Sequence, residues 1–339
     1  MAQATFNYPR GFLWGTATAS HQVEGNNTNN NWWAWEQEPG RILHGHKSGL
    51  ACDWWAGRWR EDFDRAAEAG QNAHRLSIEW SRVQPAPGRW DEDALDRYRE
   101  MLQGLHERGM TPLVTLHHFS EPLWISEQGG WENEAIVGYF DAYVRKTVDA
   151  LKEYTNLWFT INEPNVLAVF GFLVGLFPPG KKELGATYRA MANMVRAHAA
   201  AYRAIHHLQP AARAGIAIHY RSSRPAKGWF PPDVLVSSVQ NQFFNDSFVN
   251  ALSDGVLRLP LFRKRIPEAK GTQDFIGLNY YTREFVAFHP LKIQDLLIHR
   301  SFREGVELSE TGFLACEPEG MFEALKWANQ FELPIIVAE

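Results

Sequence analysis

Thr160-Ile161-Asn162-Glu163-Pro164 closes an apolar, aromatic and β-branched run that begins at Leu157-Trp158-Phe159. A run of that length and composition reads as a buried strand of a parallel sheet. It stops at two polar residues and a proline. Pro164 cannot donate to a ladder and biases Glu163 towards extended backbone. Asn162 and Glu163 therefore stand where a buried strand runs out. In a (β/α)8 barrel that edge gathers catalytic groups. Taken alone, an Asn-Glu-Pro at such a position is simply a solvated strand end, and the rest of the chain decides between the two readings.

Outward from this stretch the same unit repeats. Apolar runs that predict strands lie at 12–17, 72–78, 111–116, 215–218, 275–278 and 335–338. Helical spacing of apolar residues fills 54–69, 91–108, 134–154, 184–208, 234–252 and 319–331. Asp91 is a plausible N-cap, and Gly70 and Gly109 are good helix stops. Strand and helix alternate without a linker, which predicts a parallel sheet covered by helices. Seven such units fit a barrel better than an open sheet, and no Gly-x-Gly-x-x-Gly follows the first strand to suggest a dinucleotide fold. The expected fold class is α/β, a (β/α)8 TIM barrel with seven of its eight strands in the chain, as one catalytic domain over 1–339.

Composition excludes other classes. The 339 residues are 45% hydrophobic and carry a net charge of −5, mixed along the chain, with no basic stripe for nucleic acid. Cys52 and Cys316 are too far apart in sequence to suggest a disulfide framework or a zinc pattern. The longest apolar run, 166–177, is shorter than the roughly 20 residues a membrane span needs. The N-terminus has no signal-peptide layout. These features predict a soluble, cytoplasmic protein without membrane or nucleic-acid partners, with oligomerisation left open. The 14 tryptophans suit a sugar-binding cleft or a large core equally.

The residues at or just beyond the strand ends are Gln22, Arg75 within its strand, His118, Asn162 with Glu163, His219, Asn279 with Tyr281, and Glu339. Each has a bland reading, as a backbone partner or a turn cap. As a set they place hydrogen-bonding side chains and two carboxylates on one end of the barrel. Two carboxylates across a polar, aromatic-lined pocket suit glycoside hydrolysis, in which one protonates the leaving oxygen and the other attacks carbon or activates water. His117-His118, His206-His207 and His44-Gly45-His46 lack His-Glu-x-x-His spacing. No Gly-x-Ser-x-Gly elbow is present. The reading therefore requires no metal and no cofactor.

The chain resembles glycoside hydrolase family 1, the β-glucosidase and β-galactosidase family. The motifs are Phe12-Leu13-Trp14-Gly15-Thr16-Ala17-Thr18 with Gln22-Val23-Glu24-Gly25, Arg75-Leu76-Ser77-Ile78-Glu79-Trp80-Ser81-Arg82, Thr115-Leu116-His117-His118, and Thr160 to Pro164. Asp274-Phe275-Ile276-Gly277-Leu278-Asn279-Tyr280-Tyr281-Thr282 and the approach to Glu339 complete the set. The resemblance implies a retaining mechanism with Glu163 as general acid/base and Glu339 as nucleophile. It implies that Asn162 holds the sugar 2-hydroxyl, that Gln22 and His118 bind the far hydroxyls, that Tyr281 and Arg75 hold an ionised Glu339, and that Asn279 belongs to the same shell. The implied substrates are small β-glucosides, β-galactosides or β-fucosides.

Phe119-Ser120 stands where the family often has Trp-Asp, so a different pocket wall is expected. The family also continues past the nucleophile with Asn-Gly, an eighth strand and a loop of Trp and Glu sugar ligands. A seven-stranded parallel barrel has bare edges. The expectation from sequence is that the 339-residue chain requires a complementing segment. The competing expectation is an inactive barrel that binds sugar weakly.

Overall fold

The computed structural model describes residues 7–292 and 297–339. Seven parallel strands pair in chain order: β1 (Gly15–Ala17), β2 (Ala73–Ser77), β3 (Thr111–His117), β4 (Leu157–Asn162), β5 (Arg213–Pro225), β6 (Ile276–Phe288) and β7 (Ile335–Val337). The sheet curls as seven strands of a (β/α)8 barrel. Each strand but the last is followed by helix, including Trp59–Glu68, Glu92–Glu107, Ile136–Leu151, Leu184–Leu208, Pro231–Asn241 with Ser247–Asp254, and Glu319–Asn329. Among the described residues β1 and β7 do not pair with each other. No helix among them is long and apolar enough to cross a membrane.

Side-chain alternation builds two apolar layers. Leu113, Leu157, Phe159, Ala217 and Phe275 pack together inside the barrel. Leu76, Val114, Leu116, Trp158 and Ile216 face the helices, where they meet Tyr98, Phe140, Tyr143 and Val195. The β4–β5 register shifts between Phe159 and Asn162. An irregularity of that kind moves every later side chain to the other face. Ile161 accordingly joins the outer layer and Asn162 turns inward. Gly277 makes room for this core, since a Cβ there would lie 2.6 Å from the Phe159 ring and 2.7 Å from the Ile216 carbonyl oxygen.

Local signals explain most boundaries. Asp91 accepts the Ala94 amide at 3.0 Å and Gly109 takes φ 70° past the end of the same helix. Three expectations need correction. The first strand is three residues long, and Phe12 and Trp14 lie exposed in ring contact with Tyr8. The helix expected over 54–69 breaks at Gly57, φ 100°, into a 3-10 turn Trp54–Ala56 and the helix Trp59–Glu68. β5 and β6 run well past the barrel rim, where Ser222, Ser223, Arg224 and Pro225 pair with Arg283, Glu284, Phe285 and Val286. Arg221 pairs with Glu284 at 2.8 Å and Arg283 with Glu317 at 2.8 Å, so this polar segment is buried by long-range ion pairs. The antiparallel strand Ile298–Ser301 and the hairpin Val256–Leu259 with Phe262–Arg265 are additions to the expected parallel pattern.

One buried carboxyl gives a stability prediction. Burial pushes Glu121 up to about 7 from the usual 4.5, against a Ser126 hydroxyl bond to Oε1 at 2.8 Å. A carboxyl raised in the folded state contributes stability fully below about 4.5, and loses it as pH rises through about 7. Glu121→Gln keeps an acceptor for Ser126. It should unfold at a higher temperature than the parent at pH 8, by a margin worth about 3 kcal/mol at most. The two proteins should converge near pH 4.5, and thermal unfolding at both pH values measures the gap. A constant gap at all pH values would deny Glu121 this role.

Candidate active site

Strand ends β2 to β7 converge on one buried polar group. Arg75, from β2, is its anchor. Its Nη1 donates to Glu339 Oε1 at 2.6 Å, its Nη2 to Asn162 Oδ1 at 2.6 Å and its Nε to Thr115 Oγ1 at 2.9 Å. The guanidinium also lies 4.6 Å from the centre of the Phe159 ring. Burial pulls Arg75 down while the Glu339 carboxylate beside it pushes the other way, and a guanidinium so paired stays charged.

Arginine only donates, which fixes every amide around it. Asn162 must present Oδ1 to Arg75, so its Nδ2 faces His118 Nε2 at 3.2 Å. His118 Nε2 is therefore an acceptor, and the ring proton sits on Nδ1. Burial, helped by the Arg75 charge, pushes His118 down to about 3, so it is neutral at ordinary pH. Its buried Nδ1 has no partner among the described residues. Asn279 in turn must offer Nδ2 to Asn162 Oδ1 at 3.2 Å, and the same nitrogen donates to Glu163 Oε1 at 2.9 Å.

The two carboxylates are held differently. Glu163 takes φ 42°, in the left-handed region, and not the extended backbone expected before proline. Its amide donates to the Ala217 carbonyl of β5 at 2.8 Å, and its carbonyl accepts Leu167 N at 3.0 Å as the chain turns into Pro164–Val166. Those bonds outweigh the local preference at a site where backbone strain is tolerated. Glu339 follows β7. Arg75 donates to its Oε1, the Tyr281 hydroxyl donates to its Oε2, and His118 Nε2 lies 3.9 Å from Oε1. Burial and the neighbouring Glu339 push the Tyr281 phenol well up, which keeps it a donor.

Arg75, His118, Asn162, Glu163, Asn279, Tyr281 and Glu339 are thus brought together. Gln22 is not bonded to them. It sits in the one-turn helix Ser20–Val23 after β1, with an exposed side chain that hydrogen-bonds none of these residues. Two functional contacts carried no signal in the spacing. His219 brings Nδ1 to 3.3 Å from Glu163 Oε1. Glu79 accepts Ser20 and Ser120 hydroxyls on Oε2 at 3.0 and 2.6 Å, and Ser81 on Oε1 at 2.7 Å. It ties together the loops that follow β1, β2 and β3, which accounts for Ser120.

The pocket wall is aromatic. Phe119, at φ 68°, sets its ring 5.2 Å from His118 and 5.7 Å from Phe177, which meets Trp32 at 4.9 Å. A separate cavity of about 260 Å³ lies outside β5, lined by Tyr220, Asn241, Asn245 and Trp327. Asn241 and Asn245 are bonded there to the Ser223 and Arg221 backbone, and none of its lining residues belongs to the group above.

Known proteins resemble this chain in sequence and fold. Residues 4–339 match the model of glycosyl hydrolase family 1. Beta-glucosidase A of Thermotoga maritima is 33% identical over 307 residues, which are 84% of this chain and 67% of that protein. A beta-glycosidase from Pyrococcus horikoshii superposes with TM-score 0.88 at 34% identity, over 97% of this chain and 75% of that one. The Thermotoga maritima beta-glucosidase in complex with glucoimidazole gives TM-score 0.89 at 30% identity, over 98% of this chain and 78% of that one. With the barrel, the convergent strand ends and the family model in agreement over nearly its whole length, the chain belongs to glycosyl hydrolase family 1.

Proposed function

We propose that the protein is a retaining β-glycosidase that removes terminal non-reducing β-linked sugars, as β-glucosides, β-galactosides or β-fucosides, by double displacement. Glu339 attacks the anomeric carbon while Glu163 protonates the departing glycosidic oxygen, and the C1–O bond breaks. Water then attacks C1, gives its proton to Glu163, and frees Glu339. Arg75 and Tyr281 hold both oxygens of the nucleophile. Asn162 keeps one amide proton for the sugar 2-hydroxyl, and His118 beside it binds a further hydroxyl. Gln22 binds the far hydroxyls once substrate draws its exposed side chain in.

The observation that carries this reading is the unbroken hydrogen-bonded row Glu339–Arg75–Asn162–Asn279–Glu163. It fixes two carboxylates against one pocket, as the reaction requires. The pairing of β1 through β7 in one continuous sheet supports reading 1–339 as one catalytic domain. Cys52 and Cys316, exposed and unpaired, support action in the reducing cytoplasm. The test is stereochemical. Hydrolysis of an aryl β-glucoside, followed by proton NMR before mutarotation, should show the β-anomer first. A first-formed α-anomer would establish inversion and remove Glu339 from the nucleophile's role.

A further inference from the structure

We propose that His219 is a positioning residue that keeps the transferable proton of Glu163 on Oε2. The proposal rests on reading Glu163 as the acid/base. Its starting point is the amide chain already fixed by Arg75. Because Asn162 Oδ1 must face Arg75, Asn279 presents Nδ2 to Glu163 Oε1 at 2.9 Å. His219 Nδ1 lies 3.3 Å from that same oxygen.

The tautomer follows from what surrounds the ring. His219 Nε2 is buried with no partner among the described residues. A proton on Nε2 would be a buried donor with no acceptor, whereas a proton on Nδ1 lies beside Glu163 Oε1, 3.3 Å away and short of hydrogen-bond alignment. The Nδ1–H form therefore leaves only a lone pair unmatched, the smaller penalty. The ring is held in place by Tyr281 at 5.2 Å and Phe244 at 5.7 Å, and by Asn165, whose Nδ2 donates to the His219 carbonyl at 2.8 Å.

Oε1 then accepts one hydrogen bond, from Asn279 Nδ2, and has the Nδ1–H dipole of His219 beside it. Donors favour the more negative oxygen, so in the neutral acid Oε1 is the carbonyl oxygen and the hydroxyl is Oε2. Among the described residues Oε2 accepts no hydrogen bond, yet it is not among the sealed, unpartnered atoms, so it opens to the pocket. The proton passes from Oε2 to the glycosidic oxygen as the C1–O bond breaks. The anion left on Glu163 is then met at Oε1 by Asn279 Nδ2, with the His219 N–H drawn onto it as the charge develops, and Oε2 recovers a proton from the attacking water. Without His219, the proton can rest on Oε1, facing away from the leaving group.

The experiment compares His219→Phe, which keeps a ring and loses the donor, with His219→Asn, which keeps an N–H. kcat/KM is measured for aryl β-glucosides over a range of leaving-group acidity, with Glu163→Gln as reference. His219→Phe should lose about tenfold or more on the poorest leaving group and less than about threefold on the most activated one. His219→Asn should stay within about threefold of the parent on both. An equal loss across leaving groups in His219→Phe, or no loss, would overturn the proposal, and so would a His219→Asn variant as impaired as His219→Phe. If Glu163→Gln itself shows no dependence on the leaving group, the acid/base reading falls first and takes this proposal with it. A split in Glu163→Gln without one in His219→Phe sinks the His219 role alone.

Discussion

Glu339→Gln should lower kcat by at least about ten-thousand-fold for activated and poor leaving groups alike. The carboxylate is the group that forms the bond to C1, so no leaving group bypasses its loss. The geometry makes this loss clean. Arg75 and Tyr281 already grip both oxygens of Glu339, and Ala338 N bonds Leu278 O at 2.8 Å, so the amide that replaces the carboxylate sits in the same place. Glu339→Gly leaves a space beside C1. External azide entering that space should convert an activated β-glucoside to the α-glycosyl azide, a single inversion with fluoride or phenolate leaving. Loss under about a hundredfold, or a loss graded by leaving group, would contradict the nucleophile's role.

Glu163→Gln should show the opposite selectivity. Substrates with poor leaving groups should slow by about a thousandfold, because the departing oxygen goes without its proton. The first step of a dinitrophenyl glucoside should slow far less. Deglycosylation then waits on a base that is gone, and azide, which needs none, should restore turnover as the β-glycosyl azide. The structural ground is the placement of Glu163 at the end of β4, gripped through Oε1 by Asn279 with Oε2 open. Equal losses across leaving groups with no azide rescue would remove Glu163 from the acid/base role.

Much of the site could be read from the chain because a parallel barrel turns strand ends into a list of site residues. His118, Asn162, Glu163, Asn279, Tyr281 and Glu339 each follow or close an apolar run that locates them, while Arg75 sits within its strand. The parts that were hidden are long-range. Nothing near Ser222 and Ser223 in sequence announces that Glu284 and Glu323 will accept their hydroxyls and make a strand of a polar segment. The shift in β4 that turns Asn162 inward is a pairing property of β4 with β5, and a strand by itself shows only alternation. The left-handed Glu163 overrides a proline preference through one bond to Ala217. Gln22 is named by its motif, and its side chain stands exposed and unbonded to the group. His219 was visible as a strand-end histidine, but its partner carboxylate lies on another strand, and only the fold joins them.

The most direct test of the central claim is to incubate the protein with 2-deoxy-2-fluoro-β-glucosyl fluoride and follow intact mass, then fragment the labelled peptide. The fluorine at C2 slows both steps, and the fluoride leaving group lets the first outrun the second. The account predicts one sugar per chain, bound as an ester to the Glu339 side chain, with activity lost in step with labelling. Turnover of this substrate with no adduct, or a label on any other residue, would contradict it.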